Sequence, residues 1–480
     1  MTLHEPFRPH YHFTPPANWM NDPNGLVYYR GEYHLFYQHY PQAMVHGPMH
    51  WGHAVSRDLI RWEHLPVALR PDALGTIYSG VVVIDWHNTA GFGPEAMVAI
   101  FTHHLEAGHI QRQSLAYSTD RGRTWTKYEG NPVIPTPENT RDFRDPKVFW
   151  HDDYWVMVLA VGHQIWFYTS PDLKRWAKTG EFGAGYGCHS GVWEMPDLVE
   201  LPIDNEATTL WVLLVGVAEG APAGGSGVQY FSGKFDGRTF IPACQPDEVR
   251  WVDFGPDFYA GLSWSNAPDQ RRLWLGWMNN WTYAALIPTS PWRGTMTIPR
   301  ELSLSRTGDT VQLIQRPVAE LQALRGKKWQ WQNLVIENEK TILDDIAGNC
   351  LEISLEVQVA PAAAGRFGLC LRTTPTCQTV VGYDFSSESL FVDRTCSGEV
   401  AFHPEFAATH AASMPACNGL ITLDLLVDRS SIELFGNGGR VVFSEQIFPE
   451  PGQLSLELFC EAGSVVVNRL EAYDLGSYFS

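Results

Sequence analysis

"SRDLIRW", residues 56–62, returns along the chain as "STDRGRTW" at 118–125 and "SPDLKRW" at 170–176. A looser copy, "KFDGRTF", occupies 234–240. Each copy reads as a small or polar residue, an aspartate, a short turn and a closing aromatic. An aspartate in such a turn accepts hydrogen bonds from its own backbone, and the aromatic can pack between neighbouring units. Strand-like runs fill the intervals: 25–38, 78–86 with 97–104, 147–162, 198–217 and 258–278. They give five units, starting near residues 22, 79, 145, 194 and 258. A repeat of about 40–65 residues with about four strands is a propeller blade. The first 325 residues therefore read as a five-bladed β-propeller.

Beyond "MTIPRELSLSRTGDTVQLIQRPVAELQAL" (296–324) the texture changes. The polar, tryptophan-containing start of 326–340 reads as a linker. From 341 to 480 short alternating runs such as "LEISLEVQVA" and "LITLDLLVDRSSIELFGNGGRVVFS" follow one another at even spacing, which indicates a β-sandwich. Its "GNGG" at 436–439 is a hairpin-turn signal. The expected fold is all-β: a five-bladed propeller followed by a C-terminal sandwich.

Composition narrows the function. The 480 residues carry 53 acidic and 34 basic side chains, a formal charge of −19. Such a surface repels nucleic acid and anionic membranes and suits a neutral substrate. The longest apolar run, "LWVLLVGVA" at 210–218, is too short to span a bilayer. The start, "MTLHEPFRPHYHFTPP", lacks the apolar run and cleavage site of a signal peptide. That reads as a cytoplasmic chain, or a secreted one if a leader was removed. Eight cysteines without a CxxC pair signal neither a disulfide framework nor a zinc site. His50 and His53 have i, i+3 spacing without a third ligand, so their reading is structural. No metal and no cofactor is expected.

The acids stand at equivalent places in the repeat. "NDPNG" puts Asp22 before the first strand of unit 1, "FRDPKVFW" puts Asp145 before that of unit 3, and "WEMPDLVE" puts Glu194 at the start of unit 4. First strands line the channel of a propeller, so these three side chains converge on its axis. A nearby proline stiffens each. One Asp-Pro alone is a turn; three carboxylates, each one or two residues before a proline and beside Asn, Arg or Trp, at matching positions read as a site. Two carboxylates flanking an acetal oxygen are the working parts of a glycosidase, because like charges at short range push their pKa values apart. Arg144, placed beside a buried carboxylate, would hold Asp145 ionised.

At these residues the chain resembles glycoside hydrolase family 32, the β-fructosidases, through "WMNDPNG", "FRDPK" and "WEMPDL". The likeness extends through "MHWGHAVSRDLIRWEHLPVAL", "GWMNNWTYAALIPTSPWRGTMTIPREL" and "VDRSSIELFGNGG", and is nearest to bacterial levanase-type exo-fructosidases. It implies release of terminal fructose from sucrose and from inulin- or levan-type fructans by a retaining double displacement. It implies Asp22 as nucleophile, Glu194 as acid and base, and Asp145 as stabiliser of the oxocarbenium-like state. Asn21, Gln38, His46, Ser79, Arg144, Tyr259 and Trp277 match positions of the fructose pocket. Three residues depart from the family pattern: His46 replaces a tryptophan, Met195 a cysteine, and Val81 a small polar residue. Within the likeness, an invertase confined to sucrose or its 6-phosphate and a fructosyltransferase stay open. So does a homodimer through the sandwich. A non-catalytic sugar-binding protein is disfavoured because all three carboxylates are present.

Overall fold

The computed structural model describes residues 5–476 apart from 338–339, 344–345, 347, 360–364 and 453. Almost every element is a strand. Five antiparallel sheets follow one another as blades. Their first strands are Asn18–Tyr29, Thr76–Asp85, Phe143–His151, Trp193–Pro202 and Tyr259–Ser263. These strands neighbour one another in turn around a single axis, and the last returns to the first. Closure has two parts. Ser265 exchanges backbone hydrogen bonds with Leu26 and Tyr28, both at 2.9 Å. The short strand Trp292–Arg293 then pairs in parallel with Asn18–Trp19 on the inner side of blade 1.

The aspartate turns behave as their sequence suggests. Asp58, Asp120, Asp172 and Asp236 each accept two backbone N–H bonds, at 2.7–3.1 Å, from residues two to four positions ahead. Trp62, Trp125 and Trp176 donate their indole N–H back to Leu59, Gly122 and Leu173. The repeat that reveals the propeller is thus a hydrogen-bonded staple, used once in each of four blades.

The first strands differ from expectation in one respect. The Asp-Pro pairs do not precede these strands; they lie inside them, at β-bulges. In blade 1, Asn21 and Asp22 stand opposite the single residue Gln38. The same two-against-one step occurs at Tyr78–Ser79, Asp145–Pro146, Met195–Pro196 and Ala260–Gly261. A bulge leaves a residue unpaired, so proline costs no ladder bond there. From sequence alone, a proline in such a place looks like a strand boundary.

Two six-stranded sheets, running from Arg325 to Leu475, pack face to face as the sandwich. Strand Leu351–Gln358 buries every second residue, the period of a half-buried strand. Segment 326–340, expected as a linker, is instead largely strand: Arg325–Glu337 pairs with Ser464–Leu475 at the edge of one sheet. Residues 338–339 lie outside the described residues. Its polarity belongs to an exposed edge, where lysines discourage further pairing. The "GNGG" turn joins Ser431–Gly436 to Val441–Gln446. Gly439, at φ 87°, lies so close to blade 5 that a Cβ would stand 1.8 Å from the Gln315 carbonyl oxygen.

Propeller and sandwich meet over a buried charged network. His12 lies 2.8 Å from Asp428 through Nδ1 and 2.9 Å from Glu433 through Nε2. Asp428 also accepts the backbone N–H groups of His10 and Tyr11, and Glu433 that of Ile298. Arg300 binds Glu433, Asp253 and Gln315. The N-terminal segment, blade 5 and the sandwich are thereby fixed to one another.

Candidate active site

The bulges aim their side chains into one pocket of about 500 Å³. Asn21, Asp22, Gln38, Ser79, Arg144, Asp145 and Glu194 line it together, with His46 on the rim. The floor is buried: Gln38 and Ser79 are each 2% exposed and Asp145 6%. Below it, one step further along the first strands, Lys147 lies 3.0 Å from Asp197 and donates to Ser263. Ser263 returns its backbone N–H to Asp197 at 2.6 Å. This clamp ties blades 3, 4 and 5 and closes the channel beneath the acids.

Asp22 accepts a hydrogen bond on each oxygen, from Asn21 Nδ2 at 2.9 Å and Ser79 Oγ at 2.7 Å. Asn21 is itself held by the Trp19 indole N–H at 2.7 Å. Burial raises the Asp22 pKa above its ordinary value, and the two donors oppose that rise. Asp145 has left-handed backbone, φ 62°, a strained conformation for an aspartate that the bulge imposes. Its Oδ2 accepts the Met195 N–H at 3.1 Å.

Arg144 turns away from the neighbour it was expected to serve. Its guanidinium donates to Glu194 Oε1 at 2.8 and 3.2 Å and to Asp142 at 2.6 Å, but stands 3.9 Å from Asp145. Burial therefore wins at Asp145, and its pKa is pushed up to about 7 despite Arg144. The expectation that Arg144 holds Asp145 ionised is corrected accordingly. Glu194 receives a second donor, the Tyr259 hydroxyl, on Oε2 at 2.5 Å. Burial first, and then Glu194, keep that phenol protonated, since both raise its pKa.

Tyr259 thus reaches the site from behind Glu194 and is not part of the open wall. Trp277 is fully buried and packs behind the wall, 4.8 Å from Trp281. The tryptophan that lines the pocket is Trp281. The strand Leu273–Met278 ends three residues before it, and this is the signal that separates a core tryptophan from a loop tryptophan. Tyr78, His104, Glu106, His109, Gln111 and Asp142 also line the pocket and were not singled out from sequence. His50 and His53 do not converge: His53 is buried against His34 and Phe36, and His50 bonds the Pro48 carbonyl. Of the family departures, His46 sits edge-on to Trp281 at 5.7 Å and Met195 is buried in the bulge beside Asp145, while Val81 is buried in the blade 2 strand.

The chain has relatives along nearly its whole length. Residues 12–317 match the Glycosyl hydrolases family 32 N-terminal domain, and residues 320–474 match the Glycosyl hydrolases family 32 C terminal. A levanase of Bacillus subtilis (strain 168) is 52% identical over 98% of this chain and 71% of its own length. An extracellular exo-inulinase of Aspergillus awamori is 40% identical, covering 98% of this chain and 95% of its own. The crystal structure of exo-inulinase from Aspergillus awamori superposes with a TM-score of 0.92 at 38% identity, over 100% of both chains. A fructofuranosidase from Schwanniomyces occidentalis complexed with fructose does so with a TM-score of 0.91 at 32% identity, covering 98% and 99%. Five blades, a sandwich and three acids at one channel mouth agree with both halves of that match: the chain belongs to glycosyl hydrolases family 32 and is a glycosidase.

Proposed function

We propose that the protein is an exo-acting, retaining β-fructofuranosidase that removes terminal fructose from sucrose and from levan- or inulin-type chains. The observation that carries this reading is the convergence of Asp22, Asp145 and Glu194 on one blind pocket. Asp22, held by Asn21 and Ser79, attacks the anomeric carbon of the terminal fructosyl unit. Glu194 gives its proton to the departing glycosidic oxygen. A fructosyl ester on Asp22 results, with inversion. Glu194, now ionised, takes a proton from water, which displaces Asp22 with a second inversion and net retention. Asp145 binds fructose hydroxyls and stabilises positive charge at the ring. Gln38 Nε2, buried and without a partner among the described residues, is free to donate to a sugar hydroxyl.

The closed floor favours a chain end over the middle of a chain, which supports exo action. Among the described residues Arg144 is the only arginine or lysine on the lining, and it is bound to acids. A 6-phosphate substrate meets no unpaired lysine or arginine among the described residues of the lining, so neutral sugars fit better. The levanase and exo-inulinase relatives support fructans as substrates. We further propose that the propeller, within residues 1–325, is the catalytic unit and the sandwich, within 341–480, its support.

The test is a time course on sucrose, 1-kestose, inulin and levan, with the anomer of the first-formed fructose read by NMR. Fructose is expected as the sole early product from the fructans, as the β anomer. Internal cleavage products or the α anomer would overturn the reading.

A further inference from the structure

The mouth of the pocket carries an arc of five rings. Trp281 lies 5.7 Å from His46, His46 lies 6.2 Å from Tyr78, Tyr78 stacks on His104 at 4.5 Å and 12°, and His104 lies 6.2 Å from His109. The last two belong to the blade 2 hairpin that joins Ala96–Leu105 to Ile110–Ser118. Glu106 stands on the same turn, exposed, 3.0 Å from His104 Nε2.

This hairpin is wired to the proton donor. Glu194 is bound by Arg144 at 2.8 Å, and Arg144 by Gln111 Oε1 at 3.3 Å. Gln111 Nε2 reaches His104 Nδ1 at 3.4 Å, and His104 reaches Glu106. The hairpin therefore stands on the Glu194 side of the pocket. A group protonated by Glu194 leaves toward it.

His104, Glu106 and His109 also have the spacing of a metal triad: their ligand atoms lie within 4.8 Å of one another. The orientation of Gln111 argues against that use. Its Oε1 is committed to the Phe143 N–H at 2.8 Å and to Arg144, so its NH₂ faces His104 Nδ1. His104 then carries its proton on Nε2 and donates to Glu106, which leaves no lone pair there for a cation. Ring faces, imidazole N–H groups and one exposed carboxylate are instead what sugar C–H and hydroxyl groups bind.

We propose that His104, Glu106 and His109 bind the sugar on the leaving-group side of the scissile bond, and so set how well fructan chains compete with sucrose. This rests on the β-fructofuranosidase reading and adds specificity-determining residues to it. Glu106→Gln and His109→Ala are made in the full chain; both side chains are exposed on a turn, so the fold is not at risk. Values of kcat/KM are measured on sucrose, 1-kestose, a levan oligosaccharide and methyl β-D-fructofuranoside, whose leaving group is not a sugar. The loss on sugar-leaving substrates is expected to exceed that on the methyl fructoside about tenfold, the size of a lost charged hydrogen bond, and to differ between 1-kestose and levan. Equal losses on all four, or none, would overturn the proposal. Wild-type activity on the methyl fructoside separately reports whether the β-fructofuranosidase reading stands. Zinc or EDTA that changes wild-type kcat/KM but not that of Glu106→Gln would assign the triad to a metal, and would also overturn it.

Discussion

The pocket and the propeller–sandwich junction are built from the same materials and do opposite things. Both set aspartate and glutamate beside a buried arginine. In the pocket, Asp22, Asp142, Asp145 and Glu194 share a single arginine, so acids outnumber cations. Burial there lifts Asp22 and Asp145 above their ordinary range. At the junction, His12 and Arg300 meet Asp428, Glu433 and Asp253, and backbone N–H groups fill the remaining lone pairs. Burial opposes the charged forms there too. Yet His12 and the backbone donors take Asp428 well below the carboxylate range, and Arg300 and His12 hold Glu433 down. Asp253 is the exception, raised to about 6 by burial despite Arg300. Charge balance and saturation of hydrogen bonds decide whether a buried acid is reactive or structural.

The sharpest way to break this contrast is to neutralise an acid on each side. Asp22→Asn and Glu194→Gln are each expected to lower kcat about 10³–10⁴-fold. The melting temperature should hold or rise, because crowded like charges are relieved. A large loss of stability in these variants would show that the pocket acids are structural after all.

Asp428→Asn is the converse change. It leaves His12 charged and half paired, and should cost about 3–5 kcal/mol of stability, with kcat on sucrose near wild type in the folded fraction. The pH dependence sharpens the point. His12 is raised from 6.5 to about 9, so its contribution is fully present below pH 6.5 and disappears as pH rises through 9. That window amounts to about 3 kcal/mol. Thermal melts of wild type should fall across it, whereas Asp428→Asn should give a flatter curve. Parallel curves would remove His12 from the account.

The smallest effect is expected at the rim. His46 presents a small ring edge-on to Trp281, and burial with nearby His104 lowers its pKa. His46→Trp should extend the wall and lower KM for sucrose about threefold, with kcat nearly unchanged, since stacking is shared by ground and transition states. If the pH profiles of kcat/KM for the two proteins overlay in height and shape, His46 does not reach the substrate.

What could be read from the sequence follows the same division. Asp22, Asp145 and Glu194 were legible because a repeat placed them at matching points, each within a short motif. The strand limits around them were not, since a bulge holding a proline looks like a turn. Trp277 was named through the likeness and Trp281 was not, because a motif does not show where a strand ends and the loop after it begins. The rim residues of "THHLEAGHIQ" read as an ordinary hairpin end. The junction was hidden by distance. His12 and Asp428 are 416 residues apart and share no pattern.

Trp292–Arg293, which pairs with Asn18–Trp19, also sets a timetable for synthesis. At about 5–20 residues per second, a ribosome needs on the order of tens of seconds to travel from one partner to the other. Through that interval the strand bearing Asp22 lacks the partner that covers its inner edge. A nascent chain interrupted before residue 292 would hold the strand that carries the nucleophile without the segment that seats it. The strand that carries the nucleophile therefore gains its inner partner only when the chain of the fifth blade has been made.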